Sequence, residues 1–294
     1  MAGLLSHVSI VEVGPRDGLQ NDLRSIPTET KIALIDALSE AGLPVIEATS
    51  FVNPKAVPQL ADADEVMKRI RRRPGVRYPV LIPNQRGLDR AIVSGVDAIA
   101  LFTSATEAFC QANIRCSIDE SFERFAPVVE QALAAKMWLR GYVSVSFDCP
   151  YSGPVAPEAA IHVTERLFEL GCHEVSIADT LGTATQTGVE HVVDALRSTG
   201  ISLDQIALHL HDTYGQAVAN VERAYDLGIR IFDSAVGGLG GCPFAPGSSG
   251  NVSTESLLRA FEARGIPTGV DLPAVERAFT MLQAGSASAN EPRT

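Results

Sequence analysis

The chain has 294 residues, 46% apolar and 20% charged, a balance that supports a large buried core and excludes a disordered chain. A net charge of −11 disfavours nucleic acid and anionic membranes as partners, though a few local arginines can still hold an anionic small molecule. No apolar run approaches the ~20 residues of a membrane span, and five cysteines, an odd number without a CxxC pair, point away from a disulfide framework and toward a reducing compartment. The start, MAGLLSHVSIVEV, shows neither a signal peptide nor a transit peptide, so a soluble cytoplasmic protein is expected.

In chain order, eight β-branched or apolar runs read as strands: VSIVEV from Val8, PVIEATS from Pro44, YPVLIP from Tyr78, DAIALFTS from Asp97, WLRGYVSVS from Trp138, EVSIADT from Glu174, IALHLHD from Ile206 and IRIFDSAV from Ile229. Each is followed by a helical pattern, such as TETKIALIDALSEAG from Thr28 and VSTESLLRAFEARG from Val252. Ser117 with Glu120 forms a capping-box signature, and Pro127 is expected to kink or split the helix that follows. Eight βα units with no break in composition predict one α/β domain, a (β/α)₈ TIM barrel over residues 1–283, with 284–294 as a frayed polar tail. An open doubly wound sheet is the weaker alternative, because no GxGxxG or Walker A motif follows the first strand. The basic run KRIRRR, Lys68 to Arg73, falls at a helix end on the opposite face of the barrel from any active site and reads as helix-dipole compensation.

Chemistry in such a barrel gathers at the C-terminal ends of the strands. There the sequence places Arg16 and Asp17 after strand one, Glu47 in strand two, Arg140 and Tyr142 in strand five, Asp179 at the end of strand six, and His209 and His211 in strand seven. The two histidines, spaced i and i+2 on a strand, project from the same face and can share a metal. Asp17 is the best third ligand; its alternative role is a turn residue after Gly14-Pro15. Asn251 offers either a side-chain oxygen or the N-cap of the last helix. Two nitrogens with Asp and Asn oxygens suit Mg²⁺ or Mn²⁺, with Zn²⁺ or Co²⁺ as substitutes. Arg16 can polarise a carbonyl or pair with Glu47, and the two roles are compatible. Six glycines between Gly237 and Gly250 suggest a mobile lid, and the thiol of Cys242 within it can exchange a proton when the lid closes.

Four blocks, VEVGPRDGLQN (Val11 to Asn21), VIEATSF (Val45 to Phe51), HLHDTYGQAVAN (His209 to Asn220) and GGLGGCPFAPGSSGN (from Gly237), together resemble the 3-hydroxy-3-methylglutaryl-CoA lyase family of metal-dependent barrels. The resemblance implies a divalent cation held by Asp17, His209, His211 and Asn251, with Arg16 on the substrate carbonyl, Glu47 supporting it, and Cys242 in proton transfer. It also implies pocket positions for Gln20, Arg140, Tyr142, Ser176 and Asp179. The implied reaction is cleavage of 3-hydroxy-3-methylglutaryl-CoA to acetoacetate and acetyl-CoA, as in leucine degradation, by an enzyme that forms a homodimer or higher oligomer. Asp17, His209 or a water on the metal could each serve as the hydroxyl base. Asp148 and Ser152 depart from the family pattern around CPY, making a lyase for a longer branched 3-hydroxyglutaryl-CoA one alternative. Further alternatives are a Claisen-condensing synthase and a non-catalytic barrel that binds CoA esters.

Overall fold

A computed structural model describes residues 7–241 and 250–287. Its strands are β1 (Ser9–Glu12), β2 (Val45–Ile46, resuming as Thr49–Ser50), β3 (Val80–Leu81), β4 (Ala98–Ser104), β5 (Trp138–Ser144), β6 (Glu174–Asp179), β7 (Ile206–Leu210) and β8 (Ile231–Ser234). Every neighbouring pair is parallel, and the order around the sheet is the order of the chain, with β8 returning to pair with β1. The circle closes through β2. Between its two halves, the Glu47 amide donates to the Glu12 carbonyl at 2.9 Å and the Ala48 amide to the Pro79 carbonyl at 3.0 Å, one on each side. The expected (β/α)₈ barrel is the fold.

Strand alternation sorts the side chains. Val11, Val13, Val45, Ala207, Ile231 and Ala235 meet inside the barrel. Leu81, Ala100 and Tyr142 form a second interior cluster against Phe102. Their neighbours Ile10, Ile46, Leu208 and Phe232 point outward into the larger core shared with the helices. Those helices are α1 (Thr28–Glu40), α2 (Ala63–Arg69), α3 (Gln85–Val93), α4 (Glu107–Ile114), α5 (Ile118–Ala134), α6 (Pro157–Leu170), α7 (Gln186–Thr199), α8 (Ala217–Asp226), α9 (Thr254–Ala263) and α10 (Leu272–Ala287).

Local signals behave as their chemistry dictates, with two differences. Ser117 and Glu120 form the reciprocal capping box at the start of α5. Pro127, however, does not split α5, which runs through 17 residues. Pro127 and Glu123, whose carbonyl loses its partner, are both exposed, so the break falls on the solvent side of the helix. At the other end, Ala284–Ala287 belongs to α10 rather than to a frayed tail. Ser286 is buried there and its hydroxyl accepts from the Arg24 guanidinium at 3.1 Å, which anchors the last turn. The basic run is largely paired within the domain: Arg69 meets Glu29 and Glu65, and Arg71 meets Asp36 and Glu40. Among the described residues no helix is long and apolar enough to cross a membrane, and the four described cysteines are free and buried.

Candidate active site

The strand ends surround a cavity of about 440 Å³. Its lining combines the polar groups of Arg16, Asp17, Gln20, Tyr142, His209 and His211 with the apolar side chains of Phe102, Phe109, Ile114 and Phe125. Its charged groups begin with a wide turn after β1. The amides of Arg16, Asp17 and Gly18 converge on the carbonyl of Val13, at 3.2, 2.7 and 3.3 Å. This turn sets two consecutive side chains, Arg16 and Asp17, toward the same space.

Arg16 is clamped. Its Nε donates to Glu47 Oε2 at 2.9 Å, and its Nη1 reaches Asp17 Oδ1 at 2.5 Å. Glu47, fully buried, also accepts from the Tyr142 hydroxyl at 3.0 Å. Tyr142 in turn accepts from Arg140 Nη1 at 2.8 Å. Burial would raise the Asp17 carboxyl, but Arg16, His209, His211 and the Asn251 amide outweigh it and pull it down to about 2. For Glu47 burial wins over Arg16, and its carboxyl lies above the usual range. Burial also raises the Tyr142 hydroxyl far above its ordinary value, so it stays a donor.

His209 in β7 and His211 just past its end both turn inward, with Nε2 atoms 3.3 Å apart. Nδ1 of His209 meets Asp233 Oδ2 at 3.2 Å. A carboxylate there requires the proton on Nδ1, which leaves the Nε2 lone pair facing the cavity. Burial, then the neighbouring His209, push the His211 imidazole down to about 4, so it is neutral at physiological pH. One ligand atom from each of Asp17, His209 and His211 lies within 4.8 Å of the others. Asn251 completes the cluster. The chain re-enters beside β7, where the Val252 amide donates to the Leu210 carbonyl at 3.0 Å and Asn251 bridges to His211. The Asn251 amide nitrogen donates to Asp17 Oδ2 at 2.8 Å and to the Leu239 carbonyl at 3.0 Å, while its Oδ1 is buried without a hydrogen-bond partner. The N-cap of α9 is Ser253, so the capping role open to Asn251 in the sequence is filled by another residue.

Other residues singled out in the sequence sit elsewhere. Arg140 and Ser176 face inward but lie beneath the cavity floor, fully buried around Asp233. Asp179 lies on the opposite face of β6 from Ser176 and away from the cavity. Its oxygens accept from the amides of Thr183 and Ala184 at 3.1 and 2.9 Å, holding the loop after β6, and burial raises its carboxyl to about 6. Asp148 is part of a small hairpin, Asp148–Cys149 against Gly153–Pro154, and accepts from the Thr183 hydroxyl at 2.7 Å. Neither Asp148 nor Ser152 lines the cavity. Cys242 and most of the glycine-rich loop lie outside the described residues. The stem of that loop is tied to the site, since the Asn21 amide donates to the Gly241 carbonyl at 2.8 Å.

Sequence reasoning missed Asp233, Glu174 and Glu12. Asp233 links Arg140, Ser176 and His209, and Arg140 holds its carboxyl below the usual range against the effect of burial. Glu174 pairs with Arg140 Nε at 2.7 Å. A signal for Asp233 existed: it alternates with Ile231 and Ala235 on an inward face, where a charge demands a partner.

With this geometry in place, comparisons with known proteins return one group at 40–50% identity. A family model described as HMGL-like matches residues 7–281. The mitochondrial hydroxymethylglutaryl-CoA lyase of Bos taurus is 50% identical over 279 residues, covering 95% of this chain and 84% of that protein. The crystal structure of the HMG-CoA lyase from Brucella melitensis superposes with a TM-score of 0.92 at 50% identity, covering 95% of this chain and 98% of the other. An HMG-CoA lyase from Acinetobacter baumannii, crystallised with coenzyme A and 3-methylmalate, also gives 0.92, at 40% identity over 100% of this chain and 98% of its own.

Proposed function

This chain belongs to the HMGL-like family, and from that premise we propose that it is a divalent-metal-dependent carbon–carbon lyase that cleaves 3-hydroxy-3-methylglutaryl-CoA to acetoacetate and acetyl-CoA. The observation that carries the reading is the meeting of Asp17, His209, His211 and Asn251 beside Arg16 at the cavity among the strand ends. Kinship alone would supply the name; the cluster supplies the chemistry.

The donor set fits a cation. Two imidazole Nε2 atoms stand face to face, an ionised carboxylate lies beside them, and the buried Oδ1 of Asn251 has no partner. The two oxygen donors suit Mg²⁺ or Mn²⁺, and the two imidazoles also admit Zn²⁺ or Co²⁺. Asp17, His209, His211 and Asn251 would hold it, and when bound it supplies Lewis acidity for the substrate's tertiary hydroxyl and a carboxylate oxygen.

The residues of the chain divide the remaining work. Arg16 presents its guanidinium to the thioester carbonyl and stabilises the enolate left when the carbon–carbon bond breaks. Glu47 fixes the plane of that guanidinium, and Tyr142 holds Glu47. Asp233 keeps His209 in the tautomer whose Nε2 faces the cavity. Both ring nitrogens of His209 being engaged, Asp17 accepts the hydroxyl proton, and Cys242 returns a proton to the enolate carbon. Gln20 lines the cavity next to Arg16 and offers an amide to the substrate's polar groups. Asp148 and Ser152 stand outside the cavity wall, so their departure from the family pattern gives no reason to prefer a longer branched substrate.

The test is acetoacetate release from 3-hydroxy-3-methylglutaryl-CoA with Mg²⁺ or Mn²⁺ and with chelator. Wild type should cleave only with metal, and Cys242→Ala and His209→Ala should both lose cleavage. A protein that binds Mn²⁺ yet leaves this thioester intact would remove the substrate assignment.

A further inference from the structure

Glu12 is a buried carboxylate for which the reaction above has no use. It ends β1 on the outward face, between the barrel and α9, and is fully buried. No cation pairs with it among the described residues; the titratable neighbour that acts on it is Glu255, another acid. Three donors from two segments converge on it instead. Oε1 accepts from the Gly14 amide at 2.8 Å and from the Val236 amide at 2.9 Å. Oε2 accepts from the Thr254 hydroxyl at 2.6 Å. Gly14 opens the turn that carries Arg16 and Asp17. Val236 opens the segment after β8, and Thr254 begins α9 just beyond Asn251.

The surrounding contacts show how tightly these segments are fitted. A Cβ on Gly14 would lie 2.5 Å from Glu12 Oε1, so only glycine lets the carboxylate approach both amides. A Cβ on Gly18 would lie 2.7 Å from the Leu239 side chain. Glu255 repeats the device one residue on, accepting from the Gly237 amide at 2.9 Å. Higher up, Asn251 joins the same two segments by donating to Asp17 and to the Leu239 carbonyl. Glu12 therefore sits at the root of the loops whose tips form half of the metal cluster.

Resting on the lyase reading, we propose that Glu12 is a positioning residue: it locks the Arg16–Asp17 turn to the segment leading to Asn251, and so sets the facing geometry of Asp17 and Asn251. The bonds matter here, not the charge. A glutamine can make all three, its oxygen accepting from Gly14 and Val236 and its amide donating to Thr254, whose own proton turns to the Ser234 hydroxyl 2.8 Å away. An aspartate keeps the charge but falls one methylene short of the amides.

The experiment compares Glu12→Asp and Glu12→Gln with wild type by calorimetric titration with Mn²⁺ and by steady-state cleavage. Glu12→Asp should weaken Mn²⁺ binding about tenfold and lower kcat roughly 10–100-fold while KM for the thioester moves less than about threefold. Glu12→Gln should stay within about threefold of wild type in both. Wild-type Mn²⁺ affinity and kcat in a folded Glu12→Asp would overturn the proposal, whatever its Tm, and so would a Glu12→Gln as impaired as Glu12→Asp. Should Glu12→Asp not fold, Thr254→Val removes one of the three donors and should weaken Mn²⁺ binding about threefold; no change would again overturn it. A wild type that binds Mn²⁺ without cleaving the thioester defeats the lyase reading, while the Mn²⁺ affinities still decide the role of Glu12.

Discussion

Arg16 and Arg140 invite comparison. Both are buried, both are clamped by two carboxylates, and both guanidinium groups lie over the ring of Tyr142, at 5.5 and 4.9 Å. Tyr142 connects them, accepting from Arg140 and donating to Glu47. They differ in one respect. Arg16 retains 6% exposure and lines the cavity, whereas Arg140 has none and lies under the floor. A charge with an open edge can act on a substrate. A sealed one can only hold its neighbours, and Arg140 holds Asp233, which in turn orients His209. The same pairing chemistry thus leaves one guanidinium open to the cavity and seals the other into the architecture.

Substitutions at the two arginines should separate the roles. Arg16→Gln is expected to lower kcat by roughly 10²–10³-fold or more, because the developing enolate loses its donor. Its unfolding midpoint in urea should move little, since Glu47 can take up a proton when its partner is gone. Arg140→Ala should instead cost roughly 3–5 kcal/mol of stability by stranding Asp233 and Glu174, read in the same urea titration. Equal effects on stability would erase the distinction. One step further along the chain of contacts, Asp233→Asn should weaken Mn²⁺ binding about 10–100-fold by freeing the His209 tautomer, measured by calorimetry.

Asp179 sharpens the contrast between holding and reacting. Its carboxyl is raised to about 6 in the fold, from an ordinary 3.8. The folded state therefore binds this proton more tightly than the unfolded chain, and that stabilisation is complete below about pH 4 and lost as pH rises through 6. Asp179→Asn should flatten the pH dependence of stability across that window by on the order of 3 kcal/mol, with KM unchanged. A raised KM would instead place Asp179 in contact with substrate. Smallest of all, Tyr142→Phe should cost about 1 kcal/mol, by cutting the link between the two arginine clusters.

The barrel was legible because its evidence is local: strand-like runs, helical patterns and turn chemistry, repeated eight times. The HxH pair was legible for the same reason, since a period of two fixes the face within one strand. Parity also explains the difference at Asp179. One step past Ala178, it falls on the outward face of β6, although it ends the strand as a mouth residue should. Depth was harder to read than face. Arg140 shares a face with Tyr142, yet two residues down a strand is about 6.6 Å, enough to lie below the cavity floor. Asp233 escaped because its partners are distant in the chain: Arg140 lies 93 positions away and only the closed barrel brings them together. Glu12 escaped because an acid in an apolar strand declares a buried partner without saying which, and here the partners are backbone amides.

The closure of β8 onto β1 bears on how the chain is made. Ser9 pairs with Ile231, so as the protein leaves the ribosome its first strand waits with one edge open until nearly all the rest has been synthesised. Between Val8 and Val13 the waiting segment is almost wholly apolar, a template for pairing with other nascent chains. Its single charge is Glu12. A solvated carboxylate in such a run is the kind of charge that opposes strand-to-strand association, and here the fold buries it once the last strand is in place.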